Sequence, residues 1–229
     1  MAAPRARLAV LRREVRSIRP TSLVDVGCGQ GVLLEALAGE LPDARLAGID
    51  LSAELIASNR SRMPGLEWHV ANFATLGAVT PLLAGSYECV VASEVVEHVD
   101  DTIVFLRNAR HLVTPGGTLL LSTQSGRVHE TEREVGHVRH FTTDEMMVAL
   151  RGSGWENARV WNEGYPFHDL SKWWANRNPK ASMDRFGTQA YGWREDLICL
   201  LLRTAFRLNS RSRGAQLFAV ARAAETPAL

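Results

Sequence analysis

Short apolar runs alternate with longer amphipathic stretches along the first half of this chain. Leu23-Val24-Asp25-Val26 is apolar but for one acid, and the pattern predicts a strand over about residues 22–26. A helix is expected from about Gly31 to Glu40, where Pro42-Asp43 ends it, and a second strand from about Arg45 to Asp50. Ser52 then caps a helix reaching about Arg62, with Glu54 in its first turn. Pro64-Gly65 breaks the chain before a third strand near residues 66–70. The fourth strand, about Glu88 to Ala92, is almost wholly apolar and suits a sheet covered on both faces. A helix over about Thr102 to Leu112 and the turn Pro115-Gly116-Gly117 lead into a fifth strand, Thr118 to Ser122. Strands and helices alternating in this way predict parallel βαβ units and a doubly wound α/β sheet.

The second half departs from alternation. A helix from Thr142 or Thr143 to about Arg151 precedes a sixth strand at residues 157–161, and a seventh is expected at 216–221. About fifty residues separate those two strands, too many for a hairpin. Residues 155–193 hold five of the six tryptophans and nine of the sixteen aromatics, and Leu197 to Leu208 has a helical apolar pattern. Aromatic enrichment marks both ligand pockets and subunit interfaces, so this insert reads either as a cap over a site or as the surface of a homodimer. At the other end, Leu8, Leu11, Val15 and Ile18 recur at helical spacing among six arginines and the single acid Glu14. This predicts a basic amphipathic helix ending at Pro20; packing on the domain is favoured over a transit peptide or a membrane-surface helix.

Composition narrows the class. The 229 residues suffice for one large α/β domain, and 46% hydrophobic with 22% charged residues fits a globular protein in water. A net charge of +1 exerts no general pull on nucleic acid or anionic lipid. Cys28, Cys89 and Cys199 have no metal or redox spacing, and their odd number argues against a disulfide framework, which favours a cytoplasmic location. No apolar run reaches transmembrane length.

The chemistry concentrates where the first strand meets Gly27-Cys28-Gly29-Gln30-Gly31. A loop this rich in glycine lets backbone approach a small molecule closely. The acid ending the next strand, Asp50, is placed to accept ribose hydroxyls. Val32 stands where a dinucleotide fingerprint would have its third glycine, so a nucleoside without phosphates fits better.

Val24-Asp-Val-Gly-Cys-Gly-Gln-Gly31 resembles the first motif of class I S-adenosylmethionine-dependent methyltransferases. Gly48-Ile-Asp-Leu-Ser52, Val90-Val-Ala-Ser-Glu-Val-Val-Glu-His98 and Leu112-Val-Thr-Pro-Gly-Gly-Thr-Leu-Leu-Leu121 resemble three further blocks of that family in order and spacing. The resemblance implies a mostly parallel, seven-stranded Rossmann-like sheet with an antiparallel edge pair. It implies one domain over 1–229: an N-terminal helix (1–20), a cofactor-binding core (21–161), a cap-like insert (162–213) and the last strand (214–223). S-adenosylmethionine is the implied cofactor. Gly27, Cys28, Gly29 and Gly31 would line its methionyl part, with Asp25 supporting the loop. Asp50 would hold the ribose and Leu51 pack on the adenine. Asn72 and Phe73 would follow the third strand at the adenine edge, where many relatives have an aspartate in place of Asn72. Ser93 and Glu94 would lie beside the methionyl moiety.

If the segment Glu94-Val-Val-Glu97-His98 is helical, Glu94, Glu97 and His98 share a face, and His137 is a candidate fourth ligand for a divalent metal ion. This arrangement resembles the ubiquinone-pathway O-methyltransferases and the small-RNA 3′-terminal methyltransferases. The alternative is a metal-free site in which His98 or His137 is the catalytic base, with His140 third in rank. His69, His111, His129 and His168 read as surface or packing residues, and Arg127, Arg133 and Arg139 as a solvated loop. The favoured function is methyl transfer to a small-molecule hydroxyl. Methylation of the 2′-hydroxyl at an RNA 3′ end is the second reading, disfavoured by the near-neutral charge. A non-catalytic S-adenosylmethionine-binding partner protein is the third.

Overall fold

The computed structural model describes residues 2–75, 83–177, 201 and 204–225. Its helices are α1 (Ala2–Ile18), α2 (Val32–Ala38), α3 (Ala53–Arg62), α4 (Thr102–Leu112), α5 (Glu130–Glu134), α6 (Thr143–Gly152) and α7 (Phe167–Arg177). The strands are β1 (Ser22–Val26), β2 (Arg45–Asp50), β3 (Glu67–Val70), β4 (Tyr87–Ser93), β5 (Val113–Gln124), β6 (Trp155–Glu163) and β7 (Gln216–Ala223). They form one sheet in the order β3-β2-β1-β4-β5-β7-β6. The first five strands are parallel, and β7 runs antiparallel between β5 and β6. The Rossmann-like methyltransferase topology expected from the sequence is thus present, with its antiparallel pair at one edge.

Alternation along each strand builds two cores. Val24 and Val26 of β1, Val90 and Ala92 of β4, and Leu119 and Leu121 of β5 face α4 and α6, where Phe105, Leu106, Met146 and Leu150 are buried. Their neighbours Leu23, Cys89, Val91 and Leu120 face Leu33, Leu34 and Leu37 of α2 and Ile56 of α3. Both faces are covered, which is why these strands read as near-continuous apolar runs.

Helix α1 joins the second core. Leu11 is 2% exposed and Val15 0%, among Leu34, Leu37 and Phe218, while Arg12 and Arg16 bind Glu40 beyond α2. The apolar stripe is spent on packing, as the domain-packing reading required. Ser52 caps α3 by accepting from Leu55 N at 3.2 Å. Thr142 and Glu145 cap α6 reciprocally.

Two expectations are corrected. The helix anticipated over residues 94–98 is only a 3-10 turn, Val96–His98, because Glu94 adopts a left-handed conformation (φ 56°) that cannot enter a helix. Strand β5 begins at Val113 rather than 118, since the Pro115-Gly116-Gly117 segment stays within it. Of the helix expected at 197–208, the described residues 201 and 204–205 are helical and Phe206–Leu208 continues as a 3-10 turn, while the rest lies outside the described residues. Much of the aromatic insert, residues 178–200, also lies outside them. No helix among the described residues is long and apolar enough to cross a membrane.

Replacing Leu11 by alanine should lower unfolding free energy by about 2–5 kcal/mol, the cost of a large-to-small change in a packed core. Chemical denaturation measures this; a helix merely resting on the surface would lose almost nothing.

Candidate functional site

The carboxyl ends of β1, β2, β4 and β5 lie on one edge of the sheet, and the candidate residues gather there. After Val26 the chain turns sharply: the N–H groups of Gly27 and Cys28 both donate to Ile49 O, at 2.8 and 3.0 Å. Gly27 has φ 72°, and a Cβ on it would come within 2.3 Å of Val95 Cγ2. This position therefore needs glycine both for its conformation and for space. Gly29 differs. Its φ is 50°, yet a Cβ there would meet no protein atom within 4 Å. The backbone is bared toward open space, as a loop that meets a ligand requires.

Asp50 ties this loop to β2. Its Oδ2 accepts from Gly29 N at 2.8 Å and its Oδ1 from Ser52 N at 2.9 Å. A carboxylate has about four acceptor sites, so capacity for two hydroxyls remains. Next to it, Leu51 is 67% exposed, an apolar side chain held in the open where an adenine could cover it. Asn72 Oδ1 accepts from Ala74 N at 3.0 Å, which occupies part of the acceptor expected to read an adenine amino group. Phe73 turns inward, edge-on to Phe105 with ring centroids 6.0 Å apart. Its ring belongs to the core, so only its backbone is left to line a ligand site. Burial pushes the Cys28 thiol up, so it stays protonated and supplies shape rather than a nucleophile.

Asp25 is buried beneath the loop. Burial first, and the charge of Asp50 second, push its carboxyl up to about 8. Ser93 Oγ meets Ser122 Oγ at 2.9 Å across the β4–β5 pair.

Glu94 is not where the helical expectation placed it. Its left-handed backbone swings the side chain toward β5, β7 and α1. There it accepts from Gln124 Nε2 (2.6 Å) and Gln216 Nε2 (2.8 Å), and Arg7 Nη1 lies 3.2 Å away. The four-ligand set therefore divides. Glu97, His98 and His137 come together with their ligating atoms within 4.8 Å of one another, and Glu94 stands apart.

That three-residue cluster is half closed. Glu97 is 0% exposed; its Oε2 accepts from Thr123 Oγ1 at 2.7 Å, and its Oε1 is buried with no hydrogen-bond partner. Burial, then Glu94, push this carboxyl up to about 8. His98 and His137 pack edge to face with centroids 4.7 Å apart. Burial, then His98, lower the pKa of His137, so it is a neutral proton acceptor at neutral pH. His137 Nδ1 lies 3.0 Å from His140 Nε2. Burial, then Lys172, push His140 down to about 4. Behind them Lys172 of α7 binds Glu132 at 2.7 Å and reaches Gln124 Oε1 at 3.2 Å. The described part of the insert thus touches the site through α7.

Sequence reasoning missed Gln124, Gln216, Glu132 and Lys172. Gln124 carried a faint signal, a polar side chain closing an apolar strand. Gln216 carried none, because its partners lie 92 and 122 positions away.

Known proteins resemble this chain in part of its sequence and in its fold. Residues 24–119 match the family described as "Methyltransferase domain". Over 104 residues the chain is 39% identical to the ubiquinone biosynthesis O-methyltransferase of Xanthomonas campestris pv. campestris (strain B100). The match covers 44% of this chain and 42% of that relative, so the chain spans less than half the length of such curated relatives. Among solved structures, a Galdieria sulphuraria protein provisionally named a sarcosine dimethylglycine methyltransferase aligns with TM-score 0.66 and 11% identity, over 95% of this chain and 85% of that one. A Haemonchus contortus phosphoethanolamine N-methyltransferase 2, bound to phosphomonomethylethanolamine and S-adenosylhomocysteine, aligns with TM-score 0.59 and 15% identity, over 89% of this chain and 48% of that one. At such identities the structural likeness is one of fold.

Asp25 generates a pH prediction. Its folded pKa lies above its ordinary value of 3.8, so between there and about 8 the folded state holds a proton that the unfolded chain has lost. Stability from this group is full at low pH and falls as pH rises through that window. Asp25→Asn should therefore flatten the decline in melting temperature between pH 5 and 8 and stabilise the protein at pH 8. An unchanged pH profile would contradict the buried, protonated acid.

Proposed function

Because residues 24–119 match a methyltransferase domain family and the fold agrees, we propose that the chain is a class I S-adenosylmethionine-dependent methyltransferase that transfers the sulfonium methyl group to a hydroxyl oxygen of a small-molecule acceptor in the cytoplasm. The observation that carries this reading is the pairing of a bared Gly29 with Asp50, together with a neutral His137 packed on His98 after β4. The donor set fits the cofactor. Gly29 leaves open space at the loop, Asp50 keeps acceptor capacity, and Leu51 offers an exposed apolar surface. Gly27, Cys28, Gly31 and Ser93 would shape the methionyl end, with Asp25 below them.

When bound, S-adenosylmethionine supplies an electrophilic methyl group that needs no protein nucleophile. The protein's share is to align the acceptor, exclude water and take its proton. His137 is our base. In the tautomer whose Nδ1–H donates to His140 Nε2, 3.0 Å away, the Nε2 lone pair of His137 receives the hydroxyl proton as the oxygen forms its new bond to carbon. His98, packed on the ring of His137, keeps that imidazole oriented. Oxygen as the acceptor atom draws on the named O-methyltransferase relative.

One observation favours a second form of the same chemistry. The orphaned, buried Oε1 of Glu97 faces a cluster with two imidazoles, a donor set of hard oxygen and nitrogen suited to a divalent ion. Such an ion would be held by Glu97, His98 and His137 and would supply Lewis acidity to the acceptor hydroxyl. Glu94 is not among its ligands in this reading, since it is bound to Gln124, Gln216 and Arg7.

S-adenosylhomocysteine should bind the protein in calorimetry, and Asp50→Ala should weaken it by about ten- to a hundredfold, the loss expected when hydrogen bonds to a charged group are removed. Absence of any binding to the wild-type protein would end the methyltransferase reading. In a methyl-transfer assay with catechol acceptors, His137→Gln should lower the rate by about two orders of magnitude or more. Loss of activity with chelator, restored by a divalent ion, would assign the cluster to metal; full activity in chelator would leave His137 as an unaided base.

A further inference from the structure

One cavity beside the site has a chemistry that methyl transfer by itself does not require. It lies between α1, the ends of β6 and β7 and the turn Phe206–Leu208, with a volume of about 740 Å³, within the range of small-molecule pockets. Six arginines line it, Arg5, Arg7, Arg12, Arg13, Arg207 and Arg211, against the single acid Glu163. Three of the six are already neutralised. Arg7 pairs with Glu94, Arg12 with Glu40, and Arg13 with both Glu14 and Glu163. Arg5, Arg207 and Arg211 have no carboxylate within ion-pair distance among the described residues. Three guanidinium groups without a carboxylate partner among the described residues concentrate positive potential in this concavity.

The rest of the wall mixes polar Asn209 and Gln216 with apolar residues, among them the largely buried rings of Phe206 and Phe218. His168 also lines the cavity. It is 8% exposed, and its Nδ1 makes no hydrogen bond, the nearest acid oxygen being Asp169 Oδ1 at 3.6 Å. Through Glu94 the cavity wall is tied to the carboxyl end of β4. Gln216 and Arg7 belong to its wall and both hold Glu94, which is followed by the Val95 that packs on Gly27.

We propose that this cavity receives the methyl acceptor, and that the acceptor is an organic anion. Its carboxylate or phosphate group is held by Arg5, Arg207 and Arg211, and its apolar body lies on Phe206 and Phe218. The guanidinium fork matches both anions in two-point contact, so the site accepts either group. This assignment rests on the methyltransferase reading and adds to it the class of substrate.

The test uses the full chain saturated with S-adenosylhomocysteine and titrated in a calorimeter at physiological salt. The probes are 3,4-dihydroxybenzoate and phenyl phosphate, each compared with its uncharged counterpart, methyl 3,4-dihydroxybenzoate and phenol. At least one anion should bind about tenfold or more tightly than its neutral partner, as charge-assisted contacts require. The double variant Arg207→Gln with Arg211→Gln, altered only at exposed positions, should erase that preference and leave the affinity for S-adenosylhomocysteine unchanged. No preference for either anion, or a preference that survives the double variant, overturns the proposal. Normal S-adenosylhomocysteine binding without an arginine-dependent preference sinks this proposal alone. An arginine-dependent preference in a protein that never binds S-adenosylhomocysteine ends the methyl-transfer reading, and with it the assignment of the cavity to a methyl acceptor, and leaves only an anion site.

Discussion

Strand β1 sits between two parallel neighbours, with Asp25 opposite both Gly48 of β2 and Val91 of β4. That register decides where everything else can be. It brings the loop after Val26 level with Ile49 and Asp50 on one side and with Ser93, Glu94 and Val95 on the other. Parallel strands all deliver their following loops to the same edge, so four segments far apart in sequence meet without any of them bending far. The loop itself is then pinned by two N–H groups on Ile49 O and by Asp50 on Gly29 N. A one-residue slip would turn Asp25 from beneath the loop to the opposite face and place Val24 or Val26 on the wrong side of the sheet.

Buried charge around this edge is expensive, and the chain meets that cost in two ways. Asp25 and Glu97 are held protonated by burial near other acids. Glu94 stays among strong donors, the two glutamines and Arg7. Leaving Glu97 Oε1 without a partner in a packed interior is unfavourable, and such groups persist where something other than stability holds them. The histidine chain from His98 through His137 to His140 ends on Glu132 and Lys172, so α7 is coupled electrostatically to the same edge. The arginine-lined cavity completes the picture from the other flank, where α1 serves core packing with one face and the cavity with another.

The order of strands and helices through residue 122, the caps at Ser52 and Thr142 and the two-faced burial of β4 were legible in the residues, because each is a local pattern read at a period of 2 or 3.6. The same holds for the glycine loop and Asp50, whose spacing puts them at the ends of adjacent strands. The amphipathic stripe of α1 was equally plain. Tertiary structure decided what that stripe would meet, since only packing distinguishes a domain helix from a membrane-seeking one.

What lay beyond reach was every relation between distant positions. Glu94 looked like a member of an i, i+3, i+4 set, but a left-handed φ breaks the helix and sends it to Gln124 and Gln216. Phe73 looked like a ligand neighbour, but the core face of the sheet took its ring. The arginines of α1 looked like a solvated face until Arg207 and Arg211 were brought beside them. Sequence determines local geometry through short-range sterics and periodicity. Which polar groups end up buried together depends on long-range pairing of β5 with β7, and no local interaction encodes that pairing.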